Sequence, residues 1–264
     1  MRIAKKADRG SVFQAKGCVF VNISEYISNE KEKMKSKPFR QRLSYFWDYY
    51  KWYILVALLA LVLLGHTVSA KLTQKDVILN GILIDGMAPL EVPAAVQSFY
   101  DANGIDSQKQ EMVLDTGLAL DSGMPSVVAN TYQVIHARVG AQDADFIMGY
   151  EYAIQRLAYD SSHMFADLRE LFSAETLAGW EGSIYYIDGS VLSLIAGAGF
   201  EEIPLPDPFQ PEDMTDPIPV ALDVSACAAF SSVYYSSDRP VYISVVSNAP
   251  NRELTARFIE FLLS

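Results

Sequence analysis

Residues 52–70 read WYILVALLALVLLGHTVSA, 19 residues without a formal charge. At about 1.5 Å per helical residue the run reaches about 28 Å, close to the ~30 Å hydrocarbon thickness of a bilayer. A helix satisfies its own backbone hydrogen bonds, which lipid cannot do, and Leu and Ala favour helix in their own right. A transmembrane helix over residues 52–70, in contact with membrane lipid, is therefore expected. Directly upstream, residues 45–53 read YFWDYYKWY, aromatic at seven of nine positions. Tyr and Trp rings prefer the headgroup layer, so this stretch reads as an interfacial belt.

The charges split around this run. Residues 1–51 hold 12 Lys/Arg against 5 Asp/Glu, a charge of +7, whereas residues 52–264 hold 9 against 27, a charge of −18. Lys31, Lys33, Lys35, Lys37, Arg40, Arg42 and Lys51 place the N-terminus in the cytoplasm by the positive-inside rule, and residues 71–264 outside. The predicted localisation is thus a single-pass cell-membrane protein with an extracellular C-terminal domain. A charge of −18 repels phosphate, which argues against nucleic acid as a partner.

Val68, Ser69 and Ala70 precede Lys71 with small residues where a signal peptidase reads, and residues 53–65 have signal-peptide length. The long basic N-region and the aromatic belt favour a retained anchor over a cleaved one. No cysteine directly follows the run, which excludes a lipoprotein anchor. Residues 1–33 show no clear periodicity and precede MKSKPFRQRLSYFW, so translation is expected to begin at Met34, which removes Cys18. The basic cytoplasmic tail is residues 1–51, and from Met34 it would be only about twenty residues, which leaves no room for a cytoplasmic domain. Two cysteines, Cys18 and Cys227, make neither a disulfide scaffold nor a multi-Cys zinc site.

From Lys71 onward short apolar strands alternate with amphipathic helices. VILNGILI (77–84) is nearly all apolar and β-branched, as a strand covered on both faces should be. Residues 89–102 follow as a helix with Val92, Val96, Phe99 and Tyr100 on one side, closed by Asn103-Gly104. Residues 111–120 read as a strand, and 125–139 as a helix with Val128, Tyr132, Ile135 and Val139 at helical spacing. ADFIMG (144–149) is a third strand leading into a helix over 151–159. This order predicts an α/β domain with a mostly parallel sheet and right-handed crossovers.

The middle is less regular. A short helix over 165–172, a strand over 183–188 and an apolar run over 191–195 precede PLPDPFQPEDMTDPIP (204–219). That segment holds six of the twelve prolines and four acids, and proline removes donors and fixes φ, so it reads as a solvated connector between lobes. An acidic calcium loop is the remoter alternative, since an EF-hand spacing is lacking. Strands over 219–224 and 241–246 and a helix over 251–263 close the chain. Asn251 is the expected N-cap, with Leu254, Phe258, Ile259 and Leu262 as the buried stripe. The return of two strands and a helix after the proline-rich crossing suggests two small lobes with a cleft between them.

ADFIMG with its helix and MFADLRELFS (164–173) resembles the stretch of extracellular solute-binding proteins of ABC transporters in which a strand reaches the cleft and a short F-x-D-L-x-x-L helix follows. VYISVVSN (241–248) with NRELTARFIEFLL (251–263) is similar to their closing strand and C-terminal helix. The YFWDYYKW lead-in looks like that of membrane-tethered relatives in Gram-positive gut bacteria. The resemblance covers residues 40–264 and implies a reduced, periplasmic-binding-like fold of type 2, a small-molecule solute and an ABC-transporter or other membrane-protein partner.

Few residues suggest chemistry. His66, His136 and His163 are isolated, which argues against a metal site. No G-x-S-x-G, H-E-x-x-H or P-loop motif occurs, and Gly197-x-Gly199 lacks the rest of a dinucleotide fingerprint. Cys227 reads as a small buried hydrophobe. A non-catalytic protein without a cofactor is expected, with a hydrolase as the weaker alternative. If a ligand binds, the fold places it at the carboxyl ends of parallel strands. The candidates there are Asp85 and Gly86, Asp121 and Ser122, Tyr150 and Glu151, and Asp223 and Ser225. Each also has a structural reading: Ser122 as a helix cap, Asp85 as a turn former, Tyr150 as an aromatic at the core edge. The expected function is solute capture in an interlobe cleft; the alternative is an envelope scaffold with a degenerate cleft that docks another membrane protein.

Overall fold

The computed structural model describes residues 38–89, 93–160, 163–198, 203–227, 230, 232–234 and 239–264. The expectations for Cys18, Lys31, Lys33, Met34, Lys35, Lys37, Val92 and Gly199 lie outside these residues. The chain divides into two compact units, Met1–Thr73 and Gln74–Ser264.

In the first unit, α1 (Phe39–Thr73) is 35 residues long, about 52 Å at helical rise. Its window Tyr50–Thr67 is long and apolar enough to cross a membrane, and none of it is buried. Trp47, Trp52, Leu58, Val62 and Leu64 are all exposed.

The second unit is built on one six-stranded sheet. In chain order the strands are β1 (Asp76–Leu83), β2 (Gln110–Asp115), β3 (Phe146–Tyr150), β4 (Ile184–Asp188), β5 (Pro217–Asp223) and β6 (Val241–Val245), and their order in the sheet is β2-β1-β3-β6-β5-β4. Helices α2 (Ala94–Asn103), α3 (Pro125–Gly140), α4 (Glu151–Ala158), α5 (Ala174–Gly179), α6 (Gly189–Ala198) and α7 (Arg252–Leu263) connect and cover them.

Strands β1, β2 and β3 are parallel, as the β-α-β spacing requires. The other three pair antiparallel, β6 against β3 and β5, and β5 against β4. The sheet is therefore mixed, not mostly parallel. An all-apolar strand reports that both faces are covered and carries no information on direction. The second lobe is likewise absent as a separate body: all six strands share one sheet, and the proline-rich stretch joins α6 to β5 within it. Pro217 and Pro219 belong to β5, paired with Asp188 and Tyr186 of β4, while β6 joins β5 only at Leu222 and Asp223. The prolines thus fall where β5 has one neighbour, the position in a sheet that tolerates a missing donor.

Smaller corrections have similar causes. The strand expected over 111–120 stops at Asp115, where Gly117 N donates to Asp115 Oδ1 in a turn. Instead of a helix over 165–172, Phe165 bridges Val246 and only Leu168–Glu170 turns, capped by Asp167. Asn251 does not cap α7 with its side chain; its backbone N–H donates to Asp145.

The core joins the helices to the sheet through aromatic contacts. Phe258 of α7 stacks edge-on against Phe99 of α2 at 5.1 Å and lies 5.6 Å from Phe146 of β3. Gly81 of β1 leaves room for the Phe146 ring, which a Cβ would strike. Two buried acids tie the frame. Asp145 is fully buried and accepts from Asn80 N at 2.8 Å and Asn251 N at 2.9 Å, which pins α7 to β1 and β3. Asp188 accepts from Ser190, Thr215 and Asp216. Burial opposes its charge, but these bonds outweigh it and hold the Asp188 carboxyl below the ordinary range.

Asp145→Ala leaves two part-buried backbone amides without their acceptor, so it is expected to lower the unfolding free energy by about 2–4 kcal/mol. Asp143→Ala removes a carboxylate that is more than half exposed on Arg138 and is expected to cost about 1 kcal/mol or less. Urea denaturation of both variants checks the order.

Candidate functional site

Strand pairing gathers the candidate residues despite the mixed directions. Tyr150 stands opposite Val241, Asp223 opposite Tyr242, and Ile184 opposite Leu222. The carboxyl ends of β1, β3 and β5 and the amino ends of β6 and β4 therefore share one edge. Asp85 and Gly86 follow β1 there, Tyr150 and Glu151 sit at the β3–α4 junction, and Asp223 and Ser225 follow β5.

Most of the polar groups at this edge are bonded within the chain. Asp85 has φ 57°, a left-handed conformation that Asp tolerates better than most residues. Its carboxylate accepts from Leu120 N at 2.9 Å and Asp121 N at 3.1 Å, which brings the loop beyond β2 to the end of β1. Gly86 packs so closely on Val233 that a Cβ would have to displace it. Asp121 pairs with Arg239 Nη1 at 3.0 Å, and the same guanidinium lies 4.2 Å over the Tyr150 ring. Tyr150 meets Tyr234 edge-on at 5.3 Å, and the Tyr234 hydroxyl donates to Met148 O at 3.1 Å. Asp223 accepts from Ser225 N, and Ser225 Oγ accepts from Val241 N, each at 2.8 Å. Ser122 bonds to Met124, and Met124, not Ser122, occupies the cap position of α3.

Electrostatics keep the tyrosines protonated. Burial first, then the Asp85 carboxylate and Tyr150, push Tyr234 well above the ordinary phenol range. Burial likewise raises Tyr242, with Asp223 and Glu151 adding to it, and raises Tyr185, with Glu151 the next contributor. These phenols stay neutral and do not serve as bases near neutral pH. Val233, Tyr234 and Arg239 were not among the sequence candidates. The one available signal is that Arg239 is among only eight bases after residue 73 and stands two residues before β6 begins at Val241.

Two grooves of about 570 Å³ open on the second unit. One is lined by Asp121, Met124, Val128, Tyr132, Tyr152 and Arg156 among others, and Asp121 is the only sequence candidate within it. The other is lined by Arg169, Phe172, Tyr186, Pro217 and Pro219 among others and contains none. Among the described residues no three His, Cys, Asp or Glu side chains group so as to hold a metal ion. His136 lies 3.3 Å from Asp160, and the Cys227 thiol donates to Leu262 O at 2.7 Å.

Asp85→Ala removes the acceptor of two amides from a left-handed position and is expected to cost about 1–3 kcal/mol. Asp85→Asn, which keeps an acceptor and tolerates that conformation, is expected to cost less. Arg239→Gln breaks a half-exposed ion pair and a ring contact and is expected to cost about 1 kcal/mol. Urea midpoints measure all three, and a larger loss for Arg239→Gln than for Asp85→Ala would contradict the arrangement. In comparison with known proteins, no family model, no curated protein and no solved structure matches this chain.

Proposed function

We propose that the chain is a membrane-anchored, non-catalytic ectodomain that docks another protein of the cell envelope. The carrying observation is the self-bonded strand-end edge, where Asp121, Tyr150 and Arg239 occupy one another. Such an edge presents a set surface instead of an open, polar-lined cleft. Solute capture between two lobes, which the resemblance to solute-binding proteins implies, finds less support because one sheet runs through the whole unit.

The anchor in this reading is the apolar window Tyr50–Thr67, with the basic residues before it kept in the cytoplasm and the acidic unit outside. The second unit begins at Gln74, and its β1 starts at Asp76 on the sheet edge opposite the candidates. Residues 74–264 hold 8 Lys/Arg against 27 Asp/Glu, a charge of −19. A partner with a basic face suits that balance, and opposite charge speeds encounter.

Photo-crosslinking in whole cells tests this. A benzophenone side chain is placed at Met124 or Ala226, both exposed near the candidate edge, and at Asn103, exposed at the end of α2 that leads to the opposite edge. A discrete adduct with one protein from Met124 or Ala226 and not from Asn103 is expected. Equal adducts from all three positions, or none from the edge with the chain present in the membrane, would contradict docking there.

A further inference from the structure

The groove between α3 and α4 has a polar end built from hydrogen-bond donors. Arg156 Nη1 donates to the Tyr152 hydroxyl at 2.6 Å, and the guanidinium carbon lies 5.5 Å from the Tyr152 ring centroid and 5.6 Å from that of Tyr132. The two rings fix the cation in place. The Tyr132 hydroxyl is buried without a hydrogen-bond partner of acceptable geometry. A guanidinium has no lone pair to accept with, so a phenol oxygen beside it serves as acceptor and its own O–H needs another acceptor. Leaving a buried hydroxyl unpaired costs about 1–3 kcal/mol.

Two further features favour an anion. Met124, at the start of α3, gives no side-chain cap, so the positive end of a 16-residue helix adjoins the groove. Asp121, the carboxylate in the lining, is paired with Arg239 at 3.0 Å, and nearby Asp160 is engaged by His136 at 3.3 Å. Leu120, Pro125, Val128 and Ala129 supply an apolar wall. The unit's net negative charge opposes an anion at long range, but at physiological salt the screening length is about 8 Å, and the adjacent guanidinium governs.

We infer that this groove binds a short apolar carboxylate, its head on Arg156 and the Tyr132 hydroxyl and its body against Val128 and Ala129. A carboxylate accepts from a guanidinium and a phenol together, which a neutral amide does less well. Either a free organic acid or the C-terminus of a peptide presents this chemistry. The inference does not depend on docking at the strand-end edge, and either can fail alone.

The test is isothermal titration of the full chain in lipid nanodiscs. The ligands are 4-methylpentanoate and N-acetyl-leucine, each with its uncharged amide. Saturable binding of at least one acid is expected, with its amide about tenfold or more weaker. Arg156→Gln is expected to bring acid binding down to the amide level. Tyr132→Phe, which keeps the ring beneath the guanidinium and so preserves packing, is expected to weaken the acid by about three- to tenfold. Preference for N-acetyl-leucine assigns the site to a peptide terminus, and preference for 4-methylpentanoate to a free acid. Equal affinity for acid and amide, no saturable binding up to about 10 mM, or unchanged binding in both variants would overturn the inference.

Discussion

The antiparallel pairing of β3 with β6 is the constraint on which the second unit depends. Five residue pairs, from Phe146 with Val245 to Tyr150 with Val241, join the parallel strands to the antiparallel ones. Both strands are buried along their whole length. At one end of the seam Asp145 holds Asn80 and Asn251, and Val246 N donates to Asp145 O at 3.0 Å. At the other end Val241 is fixed by Ser225. The same pairing aligns the carboxyl ends of β1, β3 and β5 on one edge, so the seam determines both the core and the candidate surface.

Several acids that look functional in an acidic sequence are part of the frame. Asp85, Asp145 and Asp188 each accept two or three backbone N–H groups, and Asp223 accepts that of Ser225. A carboxylate that receives two or three such bonds stabilises a turn or junction without a basic partner. This explains how a unit with 27 acids and 8 bases folds compactly. It also explains why charge at the strand ends alone does not identify a binding site. Arg239 and Arg156 are informative because each lies on aromatic rings, Arg239 at the sealed edge and Arg156 in an open groove.

Elements with strong local periodicity were legible from residues alone. The strands β1 and β3, the helices α3 and α4, and the stripe Phe258, Ile259 and Leu262 of α7 fall within a residue or two of expectation. Pairing direction was not legible, because the burial that makes β6 apolar is the same for either direction. The reach of β5 back to Pro217 was hidden by the rule against proline in strands, which holds only where a strand has two neighbours. The strand-end edge was legible in position, since Asp85, Tyr150 and Asp223 do share it. What seals the edge was not, because Arg239 and Tyr234 come from an irregular segment with no periodic signal. The groove on α3 and α4 escaped for another reason: Tyr132 and Arg156 read as ordinary helix residues until two helices are set side by side.

Hydrogen–deuterium exchange of the full chain under native conditions tests the single-sheet unit most directly. With β3 and β6 joined in one core, amides of β1, β3, β5 and β6 are expected to share the slowest exchange and to open together as denaturant is added. Separate opening of β4, β5 and β6 at a denaturant concentration where β1 and β3 stay protected would mean two independently stable bodies, and would contradict the seam between them.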